Sequence, residues 1–307
     1  MPTRASSLAL VLLTASYAHA AKDSCFECHS VMEGMSIPFK SDVHYKNGIS
    51  CADCHGGDPN SDDQNISMSA ARGFKVRVTH DAVPEFCGRC HSDAAVMHRH
   101  NPQQRVDQLA LYRTGLHASK PVGSDRIAAN CIDCHGIHNI RAVSDPQSAV
   151  SPARMAATCG KCHEESSSAF KQSTHAAIFT TKESASCATC HAAHATERAS
   201  TEMLAGGRAV CARCHEPDTK GGKTAAAMER TLDEAMMLAF TPPAPGGRGA
   251  RGAAAESELD ERTITPQLMN QIMATINGKM KKARVAVHSL DVSSVKAAVQ
   301  AMTSSEQ

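Results

Sequence analysis

Tryptophan is absent from this sequence, and aromatic residues of all kinds make up only 3% of its 307 positions. Large rings usually supply much of the buried apolar area of a domain, so side chains alone are too few to build an ordinary core of this length. A surplus of one charge is also missing, because 32 basic residues and 31 acidic residues leave a net charge of +1. This balance excludes the basic footprint of a nucleic-acid-binding protein and argues against a highly charged disordered chain.

A hydrophobic run long enough to cross a bilayer, about 18 apolar residues, is absent as well. Residues 1–20 contain the basic Arg4, then the short apolar run from Leu8 to Leu13, and end on the A-x-A sequence Ala18-His19-Ala20. These are the features of a cleaved secretory signal peptide. We therefore expect an exported protein whose mature chain has no membrane span and works in the periplasm or at the cell surface.

Cysteine, in contrast, is plentiful and occurs in one arrangement: all 14 cysteines fall into seven C-x-x-C pairs, each followed at once by histidine. In chain order, motifs 1 to 7 are Cys25-Cys28-His29, Cys51-Cys54-His55, Cys87-Cys90-His91, Cys131-Cys134-His135, Cys159-Cys162-His163, Cys187-Cys190-His191 and Cys211-Cys214-His215. This is the attachment signature of c-type haem: the two thiols bond to one porphyrin, and the adjacent histidine is the proximal ligand of the iron.

Two other uses of paired cysteines account for this pattern less well. Disulfides do not require a histidine after every pair. Zinc sites with four cysteines would consume the pairs two at a time, and seven pairs leave one over. The sequence therefore predicts seven covalently attached haem c groups, whose porphyrins fill the interior that aromatic side chains do not.

Nine further histidines of the mature chain are candidates for the distal ligand of these haems. They are His44, His80, His98, His100, His117, His138, His175, His194 and His288, the last being the weakest candidate because basic residues surround it. Their positions repeat, with a histidine 7 to 14 residues before a motif and another, His138 or His194, three residues after a proximal histidine. A histidine three residues on lies on the neighbouring side of a helix, so it suits an adjacent haem.

The order of motifs and spare histidines is the same in residues 117–163 and 175–215, and residues 44–91 resemble them. We therefore divide the haem region, residues 21–220, into one haem followed by three two-haem modules. The pattern does not say which histidine caps which haem. Methionine is the alternative ligand, and Met32, Met35 and Met97 lie near motifs.

The predicted fold is mainly α-helical with extensive loops, organised around stacked haems and without a substantial sheet. Residues 221–307 contain no cysteine and predict a helical region interrupted by a Pro/Gly-rich linker near residues 241–252. One helix is expected over Thr224–Phe240 and a second from Thr265-Pro266 onward. Two apolar stripes are expected on these helices: Met228, Leu232, Met236 and Met237 on the first, and Leu268, Ile272, Ile276 and Met280 on the second.

On the seven motifs, and on the run Cys131-Ile132-Asp133-Cys134-His135-Gly136-Ile137-His138, the sequence resembles the bacterial multihaem c-type cytochromes over about residues 25–215. Similar proteins include the bis-His carriers of the cytochrome c3 type, the NrfB-type pentahaem partner of nitrite reductase and the NapC/NrfH quinol dehydrogenases. The resemblance implies closely spaced haems that form an electron wire. The sequence departs from these and related families in having no transmembrane anchor, no C-x-x-C-K site and fewer motifs than the octahaem hydroxylamine oxidoreductases.

The predicted function is electron transfer from a redox protein donor at or near the membrane, such as a quinol-oxidising complex, to a downstream acceptor. Bis-His ligation leaves no open iron position, so we expect a carrier without catalytic residues rather than an enzyme. Two alternatives stay open. An oxidoreductase with one open haem, at His29 or His215, would act on a small nitrogen or sulfur compound, and a polymerising cytochrome would form homo-oligomers through its C-terminal helices.

Overall fold

The computed structural model describes residues 23–32, 36–121, 123–178, 186–207, 209–240 and 265–304. The signal peptide predicted for residues 1–20 and the linker predicted near 241–252 lie outside these residues. Within the described residues the chain is helical and has no β-strand, which confirms the predicted fold class. None of the described helices is both long enough and apolar enough to cross a membrane.

The described residues up to Arg77 form one compact unit, which holds motifs 1 and 2. Its helices are short: α1 Ser24–Ser30, α2 Ser36–Phe39, α3 Val43–Lys46, α4 Cys51–His55 and α5 Gln64–Ser67. Long-range hydrogen bonds join them, because the N–H of Ser24 donates to the Pro59 carbonyl at 2.8 Å and its hydroxyl to the Ser61 carbonyl at 2.7 Å. The rings of Phe26 and Tyr45, with centroids 5.3 Å apart, add an apolar contact.

The second compact unit runs from Val78 onward and holds motifs 3 to 7 together with the C-terminal helices. Its motif-bearing half contains α6 Val83–His91, α7 Ala94–His100, α8 Gln108–Thr114, α9 Cys131–His135, α10 Pro152–Gly160, α11 Glu164–Lys171 and α12 Cys187–His191. Few apolar side chains are buried in this half, among them Val83, Val150 and Ala156. Helix α6 packs on α9, and α10 packs on α12, so helices that carry different motifs lie against one another.

Three helices form a bundle at the C-terminal end: α13 Lys220–Phe240, α14 Pro266–Ala286 and α15 Val292–Ser304. We call these three helices, with the turn between α14 and α15, the C-terminal bundle. The largest cluster of buried apolar side chains belongs almost wholly to it: Leu204, Met228, Leu232, Ala235, Ala239, Ile276, Met280, Ala283 and Val295. Ordinary side-chain packing therefore stabilises the bundle, whereas the motif-bearing half has few apolar side chains of its own to bury.

The bundle differs from the sequence prediction in two ways. Met237 does not join the buried stripe of α13 but is 71% exposed, since the stripe continues through Ala235 and Ala239 at helical spacing. Helix α15 was not predicted, although Asp291 stands directly before Val292, as an acidic cap precedes a helix. The buried Val295 of α15 is the side chain that completes the core between the three helices.

Candidate haem sites

Motifs 2, 4 and 6 occupy three short helices of the same design: α4, α9 and α12. In each helix the third residue, which lies between the two cysteines, accepts a hydrogen bond from the backbone N–H of the cap residue. The pairs are Asp53 with Ser50 at 2.6 Å, Asp133 with Asn130 at 2.7 Å and Thr189 with Ser186 at 2.9 Å. This capping box satisfies N–H groups at the start of a helix that is too short to be stable alone, and so sets the two cysteines one turn apart.

The residue after the proximal histidine of these motifs turns the chain sharply with a positive φ. It is Gly56 with φ +71° in motif 2, Gly136 with φ +83° in motif 4 and Ala192 with φ +60° in motif 6. Glycine adopts this backbone at little cost, whereas alanine is strained there. At Gly56 space is a second reason, because a Cβ would lie 2.3 Å from the Gly73 carbonyl oxygen.

Motifs 3 and 5 are built differently, near the ends of the longer helices α6 and α10, each with a proline in its first turn. Motif 7 opens on the 3₁₀ turn Cys211–Arg213. Capping-box motifs therefore alternate along the chain with motifs of other local structure, starting from motif 2. The C-x-x-C-H spacing alone did not distinguish these two classes, but the Ser or Asn before the first cysteine and the Asp or Thr after it were visible in the sequence.

In the second unit, the structure places four proximal histidines next to four of the predicted distal candidates. The ring centroids are separated by 6.3 Å in His163–His117, 6.2 Å in His135–His194, 5.8 Å in His215–His175 and 6.0 Å in His191–His288. The ring planes of His135 and His194 differ by 9°, and those of His175 and His215 by 2°. Metal–imidazole bonds of about 2.0–2.1 Å on both sides, plus the distance from each nitrogen to its ring centre, add up to about 6 Å. The centroid separations of the four pairs therefore match those of two imidazoles bound to one iron.

Burial favours the uncharged imidazole in these pairs. It is the largest cause of the lowered pKa of His117, His135, His175, His191, His194 and His288. The neighbouring histidine lowers the pKa of His117, His135, His175 and His191 further. A metal binds the neutral ring, so the surroundings hold these histidines in the form that coordinates iron.

Two of the pairs are supported by the same contact between chain segments. The Thr196 hydroxyl lies 3.0 Å from Nδ1 of His117, and the N–H of Leu116 donates to the Thr196 carbonyl at 2.8 Å. Gly115 allows this approach, because a Cβ there would lie 2.7 Å from the His194 carbonyl oxygen. The segments that carry His117 and His194, which face different proximal histidines, are thus packed against each other. A hydrogen bond to the outer ring nitrogen fixes the tautomer and the ring orientation of a metal-binding histidine.

A similar close approach supports His215. A Cβ on Gly221, in the first turn of α13, would lie 2.3 Å from His215 Nδ1. The ring of His215 therefore rests on the backbone of the helix that follows it, and only glycine leaves room for it.

Cysteines of consecutive motifs in the second unit touch. The Cys87 thiol hydrogen-bonds to Cys131 and lowers the pKa of Cys131. The Cys187 thiol hydrogen-bonds to Cys159 and lowers the pKa of Cys159. These contacts join motif 3 to motif 4 and motif 5 to motif 6.

Weaker electrostatic contacts continue the series. Burial raises the pKa of Cys134, and the neighbouring Cys159 raises it further. Burial likewise raises the pKa of Cys211, with Cys190 as the next cause. Motif 4 is therefore close to motif 5, and motif 6 is close to motif 7, so motifs 3 to 7 follow one another in space in chain order.

A cavity of about 380 Å³ opens directly against Cys190 and His191 of motif 6. Met203 and Val210 give it apolar walls, and Arg213 supplies a positive charge. Ligand sites in proteins span about 300–1,000 Å³ and combine apolar walls with a few polar groups. Glu197 also lines the cavity, which lies beside the residues that would tether haem at motif 6, and Arg213 is suited to a propionate carboxylate.

The other predicted distal histidines have different surroundings. His44, on α3, has Nδ1 2.8 Å from the buried carboxylate of Asp42. His80 has Nδ1 3.1 Å from Asp81 and Nε2 3.2 Å from Asp133, so carboxylates engage both ring nitrogens. The remaining three are His98, whose Nε2 lies 3.1 Å from the Gln104 carbonyl oxygen, the exposed His100 on the same helix, and His138, whose backbone has φ +57°. For these five histidines, coordination of a haem iron stays a prediction.

Cysteine and histidine side chains could instead form disulfides or bind a metal ion without a porphyrin. Among the described residues, no group of three or more His, Cys, Asp or Glu side chains is arranged to hold a metal ion. All fourteen cysteines lie in the described residues, and none of them forms a disulfide there.

Three family models match the sequence. The model described as cytochrome c3 matches residues 43–164, the one described as a doubled CXXCH motif matches residues 175–220, and the one described as cytochrome c554 and c-prime matches residues 5–56. Together these matches take in every C-x-x-C-H motif. Searches of the curated proteins and of the solved structures return no match to the chain.

Proposed function

We propose that this chain, a multihaem c-type cytochrome that binds haem through its C-x-x-C-H motifs, transfers electrons through seven covalently bound haems outside the cytoplasmic membrane. The observation that carries the proposal is the set of facing histidine pairs. Three pairs join a proximal histidine to a spare histidine of the repeated modules: His163 with His117, His135 with His194, and His215 with His175.

Each part of a motif has a separate role in this proposal. The two cysteines tether the porphyrin, and the histidine that follows them binds one face of the iron. Haem, when bound, supplies a one-electron iron couple. The distal histidines would bind the second face of the iron, which would exclude small molecules from the metal and keep the potential below that of Met/His ligation.

The spatial order of the motifs supports a single route. Motifs 3 to 7 are neighbours in chain order: hydrogen bonds join Cys87 to Cys131 and Cys187 to Cys159. Electrostatic interaction links Cys134 with Cys159 and Cys190 with Cys211. Histidines of neighbouring motifs also interact electrostatically, since His91 lowers the pKa of His135 and His163 lowers the pKa of His191. We infer that electrons enter or leave at the two ends of this series and pass between consecutive motifs.

The enzyme alternative required an open haem at His29 or His215. The near-parallel rings of His215 and His175, 5.8 Å apart, favour a closed iron at motif 7. Electron carriers of this class act with redox partners. We propose a redox-protein donor at or near the membrane and a downstream redox-protein acceptor, with the periplasm, or else the cell surface, as the compartment.

The test is a haem count and a spin-state measurement on the purified, oxidised holoprotein. Pyridine haemochrome should give seven haems per chain, and low-temperature EPR should show low-spin ferric signals only. N-terminal sequencing should find the chain beginning at Ala21. A stoichiometric high-spin ferric signal, or a reduced protein that binds carbon monoxide, would instead favour the open-haem oxidoreductase.

A further inference from the structure

We propose that the C-terminal bundle, which binds no haem itself, supplies the distal ligand of motif 6 through His288. The bundle then holds one ligand of a single iron of the series in place. The proposal rests on the function above only in requiring haem at motif 6.

The two rings are separated by the distance that two imidazoles bound to one iron require. The centroids of His191 and His288 lie 6.0 Å apart, and the ring planes differ by 23°. Nδ1 of His288 lies 3.2 Å from the Val285 carbonyl oxygen, to which it donates as N–H. This hydrogen bond places the proton on Nδ1 and leaves the lone pair of Nε2 for a metal.

The bundle holds His288 firmly in this position. His288 is in the 3₁₀ turn Val287–Ser289, which connects α14 to α15. Val287 and Leu290, on either side, pack against the apolar core of the bundle. Leu290 closes the turn with φ +56°, a conformation that such a residue keeps only where its surroundings enforce it.

Contacts outside the bundle fix the turn against the motif-bearing half. The turn packs on α11, the helix that directly follows His163 of motif 5. The Lys281 ammonium lies 3.3 Å from the Glu165 carboxylate, an exposed ion pair at the same contact. Because α11 begins one residue after a proximal histidine, this contact docks His288 beside the series of motifs rather than on a remote surface.

The repeat explains why the ligand comes from the tail. In the two modules within the second unit, the second motif faces the histidine that opens its own module, as His163 faces His117 and His215 faces His175. The first motif of the earlier module faces a histidine of the later module, as His135 faces His194. Motif 6 is the first motif of the last module, so the same rule requires a histidine further along the chain. His288 is the only histidine after His215.

The experiment replaces His288 in the holoprotein and compares it with the wild type. His288→Ala should keep the haem count and convert one low-spin ferric haem per chain to high spin. The reduced variant should then bind one equivalent of carbon monoxide, and added imidazole should restore the low-spin signal. His288→Met should stay low-spin and raise the potential of one haem in a redox titration, because a thioether ligand favours ferrous iron.

A matched control is Ser289→Ala, which removes the hydroxyl bond of 2.7 Å to the Ala286 carbonyl in the same turn without touching a ligand. It should leave every haem low-spin. If His288→Ala also leaves every haem low-spin and closed to carbon monoxide, or if Ser289→Ala opens a haem equally, the assignment of His288 is overturned. The wild type reports on the proposed function separately, since its haem count and spin state do not depend on either variant.

Discussion

The backbone of Gly115 lies against that of His194 so closely that a Cβ on Gly115 would meet the His194 carbonyl oxygen at 2.7 Å and the Thr196 N at 2.9 Å. Because His117 stands two residues after Gly115, this one contact positions histidines that face two different motifs. The two facing pairs, His163–His117 and His135–His194, are therefore linked through this contact.

We expect Gly115→Ala to disturb both pairs together. Overpacking of this kind costs about 1–3 kcal/mol. The variant should have a lower thermal midpoint and a partial high-spin signal that involves two haems in EPR. Gly278→Ala is the control, because no atom lies within 4 Å of its added Cβ and an alanine within α14 should raise stability by about 0.5–1 kcal/mol. A loss of only one low-spin haem in Gly115→Ala would contradict the link.

Ala192 is a position where a substitution is expected to stabilise the protein. It stands after His191 with φ +60°, where the equivalent position of motif 4 has Gly136. Ala192→Gly should raise the free energy of unfolding by about 1 kcal/mol, since the relief of strain exceeds the added chain entropy. Denaturation with the haem Soret band as probe measures this change.

The converse variant, Gly136→Ala, tests the same cause in the opposite direction. Its added Cβ meets no atom within 4 Å, so the only penalty is the positive φ of +83°. It should lose about 1–2 kcal/mol. Equal stability of Gly136→Ala and the wild type would show that the turn relaxes without cost.

Thr196 is expected to tune the iron of motif 5 without binding it. Its hydroxyl is 3.0 Å from His117 Nδ1 and would accept a hydrogen bond from the Nδ1–H group when Nε2 binds the metal. Thr196→Val keeps the shape but removes the acceptor, so His117 becomes a weaker donor and the potential of one haem should rise. Thr196→Ser, which keeps the hydroxyl, should leave the redox titration unchanged. A shift of similar size in both variants would point to packing as the cause.

Asp291 is expected to make the stability of the C-terminal bundle depend on pH in acidic solution. Hydrogen bonds from Ser293 and Ser294 lower the pKa of Asp291 to about 2, below its unfolded value of about 3.9. A carboxyl with a lowered folded pKa stabilises the fold above its unfolded pKa, and that contribution is lost as the pH falls towards its folded pKa.

The control for this effect is Asp291→Asn, which caps a helix without titrating. The thermal midpoint of the wild type, followed by far-UV circular dichroism, should fall relative to that of the variant between about pH 5 and pH 2.5. A difference that stays constant over this range would mean that Asp291 does not cap α15 in solution.

The fold of the bundle was partly visible in the sequence. The helix from Pro266 and the buried Ile276 and Met280 follow from spacing of four residues, which any amphipathic helix shows. Met237 has the same hydrophobicity as Met228 but ended on the exposed side. Which face of α13 is buried depends on where α14 and α15 pack, and the local sequence pattern does not carry this information.

The sequence by itself determined the class of this protein and its attachment sites, because haem attachment needs only consecutive residues: two thiols one helical turn apart and an imidazole beside them. Even the capping boxes of α4, α9 and α12 are local. Only the tertiary structure decided which histidines face each other. His194 follows His191 by three residues yet faces His135, and His191 faces His288 of the C-terminal bundle. An axial ligand reaches its partner through space, so the packing of helices, rather than distance along the chain, selects the pair.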